Sequence, residues 1–286
     1  MRTVLVTGAS GALGLRIVGH LREDGWRVRA LVHRTGVPGA DETVDGSLLE
    51  PASCRAAVSG CQAVMHGAAV THARRARSYR EVNVDGTQHI VKAAAAAGVE
   101  RFVLLSSRTA GPASGWYGES KLAAEQVVAA APFGWTILRL AEVYGTGGRE
   151  GVDDIVARAR AGRTIVLPGR GESGVCPLHV EDAARACVNA LEAEGALGQT
   201  IVLGGRCLTL REFAERCIEL AGTRSRTVKM PWGMLGVAAL AARVVPLPLY
   251  PDQVARLRAE KRKPSATALS DLGVTPRELA DGLRGD

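Results

Sequence analysis

The chain has 286 residues, 47% of them hydrophobic and 23% charged, which fits a soluble globular protein of one large domain or two modest ones. Aromatic residues make up only 4%, so the core has to rely on Ala, Val and Leu. The net charge of +7 is scattered, and its two clusters, Arg74-Arg75-Ala76-Arg77 and Lys261-Arg262-Lys263, read as solvated faces rather than as a nucleic-acid surface.

The chain opens on a short apolar strand, Thr3 to Val6, that runs straight into a glycine loop and leaves no place for a signal peptide. The loop is Thr7-Gly8-Ala9-Ser10-Gly11-Ala12-Leu13-Gly14. A strand before it and a helix after it are the context in which such a loop cradles a dinucleotide. Gly8 permits the tight turn, Gly11 lets a pyrophosphate approach the backbone, and Gly14 lets the helix pack on the sheet. Ser10, Ala12 and Leu13 complete the phosphate site at the start of the helix. Apolar residues at 13, 17, 18 and 21 predict that helix over Leu13 to Asp24, closed by Gly25.

A second strand is expected over Arg27 to Val32, followed by His33 and Arg34. No acid occurs from Gly25 to Ala40 to accept hydrogen bonds from a ribose 2′-hydroxyl. Arg34, with His33 beside it, suits a 2′-phosphate instead. The preferred cofactor is therefore NADP(H), with NAD(H) the alternative.

Further strands are expected at Ala63 to His66, Phe102 to Leu105 and Thr136 to Leu140, with helices at Ala52 to Val58, Gly86 to Ala97 and Tyr117 to Ala131. This alternation predicts an α/β fold, a Rossmann-type doubly wound parallel sheet. After Gly145 the pattern breaks at Gly147, Gly148 and Gly151. A helix is expected over Asp153 to Ala161 and a strand over Thr164 to Leu167. Val180 to Leu191 and Thr200 to Leu203 are expected to return to the main sheet. The division that follows is a dinucleotide-binding domain of 1–145 and 179–205, and a smaller, discontinuous, mostly helical substrate domain of 146–178 and 206–286.

The six cysteines form no C-x-x-C and lack a histidine cluster, so no metal site is expected. Cys187 and Cys217 read as small core residues, and a reduced, cytoplasmic setting is the default. Trp232 to Leu249 is apolar apart from Arg243, with Pro246 and Pro248 interrupting it. A buried helix near a substrate pocket is preferred there over membrane association.

The chemistry centres on Tyr117 and Lys121 in Trp-Tyr-Gly-Glu-Ser-Lys. Four residues apart, they share one helix face. An ammonium can hold a phenol near its ionisation point, and a poised phenol can exchange a proton with an alcohol or ketone.

Together with the glycine loop, several segments resemble the extended short-chain dehydrogenase/reductase family, also called the NAD-dependent epimerase/dehydratase family. They are His66-Gly67-Ala68-Ala69, Asn83-Val84-Asp85-Gly86-Thr87, Leu104-Leu105-Ser106-Ser107, Tyr117-x-x-x-Lys121, Leu138-Arg139, Val143-Tyr144-Gly145 and His179-Val180-Glu181-Asp182. The resemblance implies Tyr117 as acid/base, Lys121 on the nicotinamide ribose and lowering the phenol's pKa, and Ser107 as hydrogen-bond partner of the substrate carbonyl. It places Gly67, Ala68, Ala69, Leu105, Ser106, Leu140 and Val143 beside the cofactor. Ser47 and Leu48 match the adenine-contact position, with Ser47 where the family usually has Asp. Asn83 is expected to brace the site, and Asp182 to cap or brace a helix.

Three departures bear on the substrate. Val175-Cys176 replaces the Arg-Asp of sugar-nucleotide epimerases, Glu142 replaces an Asn, and Arg108-Thr109 stands where dehydratases carry Asp-Glu. What remains resembles the dihydroflavonol-reductase-like and hydroxysteroid-dehydrogenase-like branches, whose substrates are small apolar ketones and alcohols. Met230, Trp232, Met234, Leu235 and Leu249 are candidates for an apolar pocket wall. An epimerase using transient oxidation, and a non-catalytic dinucleotide-binding sensor or assembly subunit, are the alternatives. The alanine-rich helices Gly86 to Ala97 and Tyr117 to Ala131 match those that pair in dimers of this family, which implies a homodimer.

Overall fold

A computed structural model describes residues 2–33, 35–148, 151–241 and 250–285. Arg34 and Leu249 lie outside the described residues, as does the second half of the apolar 232–249 stretch.

The first half alternates as its hydrophobic pattern dictates: β1 (Thr3–Thr7), α1 (Ala12–Glu23), β2 (Arg27–Val32), β3 (Glu42–Asp45), α2 (Pro51–Val58), β4 (Ala63–His66), α3 (Ala76–Tyr79), a π-helical turn over Arg80–Asp85, α4 (Gly86–Ala96), β5 (Arg101–Ser107), α5 (Gly115–Ala129) and β6 (Gly134–Leu140). The second half carries β7 (Val143–Tyr144), α6 (Gly151–Arg160), β8 (Ile165–Pro168), β9 (Gly174–Val175), β10 (Leu178–His179), α7 (Val180–Asn189), β11 (Gln199–Leu203), β12 (Leu208–Thr209), α8 (Leu210–Ala221), β13 (Thr227–Met230), α9 (Trp232–Ala241), α10 (Gln253–Arg258) and α11 (Leu279–Gly285).

Seven of these strands form one sheet in the order β11-β6-β5-β4-β1-β2-β3, and every pairing in it is parallel. This is a Rossmann-type sheet. Its central strands β1, β4, β5 and β6 are largely buried on both faces, as a parallel sheet sandwiched by helices requires. One apolar cluster joins α1 and α7 to one face through Ile17, Leu21, Ala183 and Cys187. The other joins α2 and α4 to the opposite face through Cys54, Val58, Ile90 and Ala94. The chain order reverses between β1 and β4, where doubly wound sheets open a crevice at the carboxyl ends of their strands. The expected returns to the sheet occur: β11 pairs with β6 and α7 packs beside α1.

A third cluster lies apart, between α6 and α8, around Val152, Ile155, Phe213 and Cys217. The short parallel pair β8–β13 borders it. Cys187 and Cys217 are core residues, as expected.

Two expectations are corrected. Cys176 and Cys207 form a disulfide, so the chain is not fully reduced. Antiparallel pairing of Val175 with Leu208 brings them together, a long-range contact that their 31-residue separation does not advertise. Helix α9 is not a buried helix either: Leu235 and Ala239 are buried, but Met234, Val237 and Leu240 are exposed. An evenly apolar helix touching the body along one stripe leaves its other sides in water. No described helix is long and apolar enough to cross a membrane.

Candidate active site

The glycine loop turns between β1 and α1 where the expectation put it. Gly8 takes a φ of +73°, and a Cβ there would meet the backbone of Gly67 and Ala68 within 2.7 Å. A Cβ on Gly14 would collide with the Gly8 carbonyl oxygen. The loop therefore closes directly onto the Gly67-Ala68-Ala69 segment that leaves β4. Gly11 precedes α1 in extended backbone, and no side chain caps its amides. Among the described residues, the only neighbour of its missing Cβ within 4 Å is the Gly8 oxygen, at 3.4 Å. Free amides under an open approach are what a pyrophosphate needs, so these residues fit a dinucleotide.

At the far side of this crevice, His33 follows β2 as an exposed residue. Sequence reading missed one acid here. Asp45, beyond the 25–40 window, is brought into register with Val32 by the β2–β3 pairing. Leu48 is buried, and its carbonyl accepts a 2.8 Å hydrogen bond from His89 Nδ1, while the Ser47 hydroxyl accepts from the Leu49 amide at 3.2 Å.

Thr7, His66, Ser107 and Leu140 end β1, β4, β5 and β6 on one edge of the sheet. Helix α5 lies across that edge and presents Tyr117 and Lys121, both buried. The Ser107 hydroxyl pairs with the Thr109 hydroxyl at 2.8 Å, and Ser107 and Tyr117 line the same cavity. Lys121 Nζ donates to the Leu105 carbonyl at 2.7 Å, so Ser107, Tyr117 and Lys121 converge on the end of β5. Burial pushes the phenol's pKa up, against an opposing pull from Arg256 and Ser107. Burial pushes the Lys121 ammonium down to about 8, with Glu125 resisting. The cation that lowers the phenol is Arg256. Its guanidinium carbon stands 4.3 Å from the centroid of the Tyr117 ring. Arg256 escaped the sequence reading because it lies on α10, far from Tyr117 in the chain.

The supporting groups are local and well paired. Asn83, in the π-helical turn, bonds the Val70 amide and carbonyl and donates to Ser120 Oγ at 2.9 Å, so it braces both the β4 loop and α5. His66 is buried between Thr7 Oγ and Thr87 Oγ. Burial, and secondarily Lys121, push its imidazole down to about 3, which keeps it neutral. The Ser106 hydroxyl turns to Glu125, which also binds Arg139 through Nε at 2.9 Å and Nη2 at 2.6 Å. Asp182 accepts from the Arg277 backbone and side chain, both at 2.9 Å, bracing the C-terminal segment onto α7.

A cavity of about 480 Å³ opens above Ser107 and Tyr117, with Leu140, Val143, Val152 and Leu257 as apolar walls. Of the proposed apolar wall residues, Met230, Trp232, Met234 and Leu235 do not line it. The three departures in sequence do meet at its edge. Arg108 Nη2 lies 2.8 Å from Glu142, Lys261 Nζ reaches the same carboxylate at 3.2 Å, and the Cys176 amide donates to it at 3.0 Å. Lys261, expected on a solvated face, thus enters the cavity, while Arg262 and Lys263 stay exposed.

Residues 4–204 match the model of the NAD dependent epimerase/dehydratase family, and the chain belongs to that family. It is 34% identical to a ceramide reductase of Caulobacter vibrioides over 255 residues, covering 83% of this chain and 76% of the relative. A 2-alkyl-3-oxoalkanoate reductase of Stenotrophomonas maltophilia is 31% identical over 252 residues, covering 77% of this chain and 76% of the relative. The solved structure of MoeE5 in complex with UDP-glucose and NAD superposes with a TM-score of 0.77 at 27% identity, covering 99% of this chain and 96% of that one. Fold and relatives define an NAD(P)-dependent oxidoreductase.

Proposed function

We propose that the protein transfers a hydride between NADP(H) and a small, predominantly apolar ketone or secondary alcohol. The observation that carries this reading is the convergence of Ser107, Tyr117 and Lys121 at the end of β5, beneath the cavity and beside the glycine loop. The nicotinamide would supply or accept the hydride. Ser107 would hold the carbonyl oxygen where negative charge develops, and Tyr117 would deliver or take the proton there. Lys121 would leave the Leu105 carbonyl for the nicotinamide ribose. Gly8, Gly11 and Gly14, with the amides of Ser10, Ala12 and Leu13, would hold the pyrophosphate. Residues 146–178 and 206–286 would form the substrate-binding domain.

Preference for the 2′-phosphate rests on exposed His33, on Arg34 next to it, and on the absence of an acid from Gly25 to Ala40. Asp45 beside Val32 is the group that opposes it. Tighter binding of NADH than NADPH would remove this part of the reading. A homodimer completes the proposal; the Cys176–Cys207 disulfide points away from the reduced, cytoplasmic setting expected from the sequence.

The decisive experiment is Tyr117→Phe, assayed by NADPH oxidation against a panel of ketones. Turnover is expected to vanish while NADPH binding stays nearly intact; retained turnover overturns the mechanism. The rival reading, epimerisation through transient oxidation, draws on the UDP-glucose and NAD bound in MoeE5. It would show a retained cofactor and no net NADPH consumption.

A further inference from the structure

Two cavities adjoin across Arg108, Leu257 and Lys261, which line both. The first holds Ser107 and Tyr117. The second, of about 420 Å³, adds Trp232, Arg258, Lys263 and the disulfide. Among the described residues, no Asp or Glu lines the second cavity. In the first, the acid is Glu142, and it already serves Arg108, Lys261 and the Cys176 amide. Five cations, Arg108, Arg256, Arg258, Lys261 and Lys263, thus face one carboxylate.

Neighbouring groups do not relieve this excess. Arg256 donates to the Thr71 carbonyl and covers the Tyr117 ring; Arg258 covers Trp232. Asp252, one turn before Arg256, is taken by the Tyr117 amide and the Tyr79 hydroxyl, and Glu172 accepts from the indole of Trp232. Among the described residues, Arg256, Arg258 and Lys263 have no carboxylate within ion-pair distance. Burial, Arg108 and Arg256 all push the Lys261 ammonium down, with Glu142 resisting, so this cation is held in a field of its own sign. Arg256 is partly buried and Arg258 and Lys263 are exposed at the cavity rim; several cations converging on a cavity with one shared carboxylate favour an anion supplied from outside.

We propose that the junction of the two cavities binds an anionic group, a carboxylate or a phosphate, carried by the substrate whose carbonyl lies at Tyr117. This rests on the reductase reading and refines it: the substrate has an apolar body against Leu140, Val143 and Val152, and a charged end between Lys261 and Arg258. The body enters above Ser107 and the charged end passes Leu257.

Calorimetric titration of the full chain with octanoate, octyl phosphate and octanamide tests it. One anion is expected to bind about ten-fold tighter than the neutral amide. Octanoate as the tighter probe identifies a carboxylate, and octyl phosphate a phosphate. The preference should fall to within about three-fold in Lys261→Met and in the double variant Arg258→Leu/Lys263→Met, whose exposed positions keep the fold safe. Equal affinity for the three probes, no binding of either anion, or a preference unchanged in both variants overturns the proposal. Reduction of octan-2-one by NADPH, with and without Tyr117→Phe, reads the reductase assignment separately. Its failure leaves the anion ratio standing, and the reverse also holds.

Discussion

The guanidinium of Arg256 covers the ring of Tyr117 at 4.3 Å, so a residue of α10 sets the charge felt by the phenol on α5. The cation favours the phenolate. Removing it should raise the phenol's pKa. In Arg256→Met, the alkaline rise of kcat/KM for alcohol oxidation is expected to move up by about one pH unit. An unmoved profile would show that Arg256 does not tune the phenol.

Glu125 and Arg139 form a buried, two-point ion pair that ties α5 to β6 and also holds Ser106. Glu125→Gln leaves the guanidinium buried without its counter-charge, at a cost of about 3–5 kcal/mol. Denaturant unfolding should show that loss. The double variant Glu125→Gln/Arg139→Met should recover most of it, because it removes the orphaned charge.

His66 is neutral in the fold, with a pKa near 3 against an ordinary 6.5. Between those values the unfolded chain binds the extra proton. Its contribution to stability is therefore complete above pH 6.5 and drains as pH falls toward about 3. The slope approaches roughly 1.4 kcal/mol per pH unit. Urea midpoints at pH 7 and pH 5 should fall less in His66→Gln than in the parent chain.

The disulfide makes a simple count. Cys54, Cys61, Cys187 and Cys217 are free and buried, and Cys176 and Cys207 are bonded. Thiol titration in denaturant should find the first four before reduction and all six after it. Closing a loop of this length contributes roughly 4 kcal/mol, so reductant should lower the Tm.

What could be read from sequence was local. The glycine loop, the i,i+4 spacing of Tyr117 and Lys121, and the period-two and 3.6 patterns all act within a few residues, and they placed the sheet, α1 and α5. Edge strand β3 was missed because Glu42–Asp45 alternates polar residues with only one apolar side chain, Val44. Arg256 and Lys261 were missed because only tertiary packing carries α10 and the residues after it over the end of β5. Arg108, Glu142 and Cys176 stood out singly as departures from the family pattern. Their meeting at one carboxylate depends on the β5–β6 pairing, which sets Ser107 beside Leu140, and on the β7–β10 pairing, which sets Leu178 beside Val143, and spacing does not encode either.

Asp252, buried just before α10, accepts from the Tyr117 amide at 3.3 Å and from the Tyr79 hydroxyl at 3.2 Å. Helix α5 has no side-chain cap of its own at Ser114, so its first turn borrows this carboxylate from the far end of the chain. The roof of the cavity and the footing of the tyrosine helix are thereby fastened by one bolt. Any movement that lifts α10 to admit or release a ligand also strips the start of α5 of its acceptor, and it carries Arg256 away from the phenol in the same stroke.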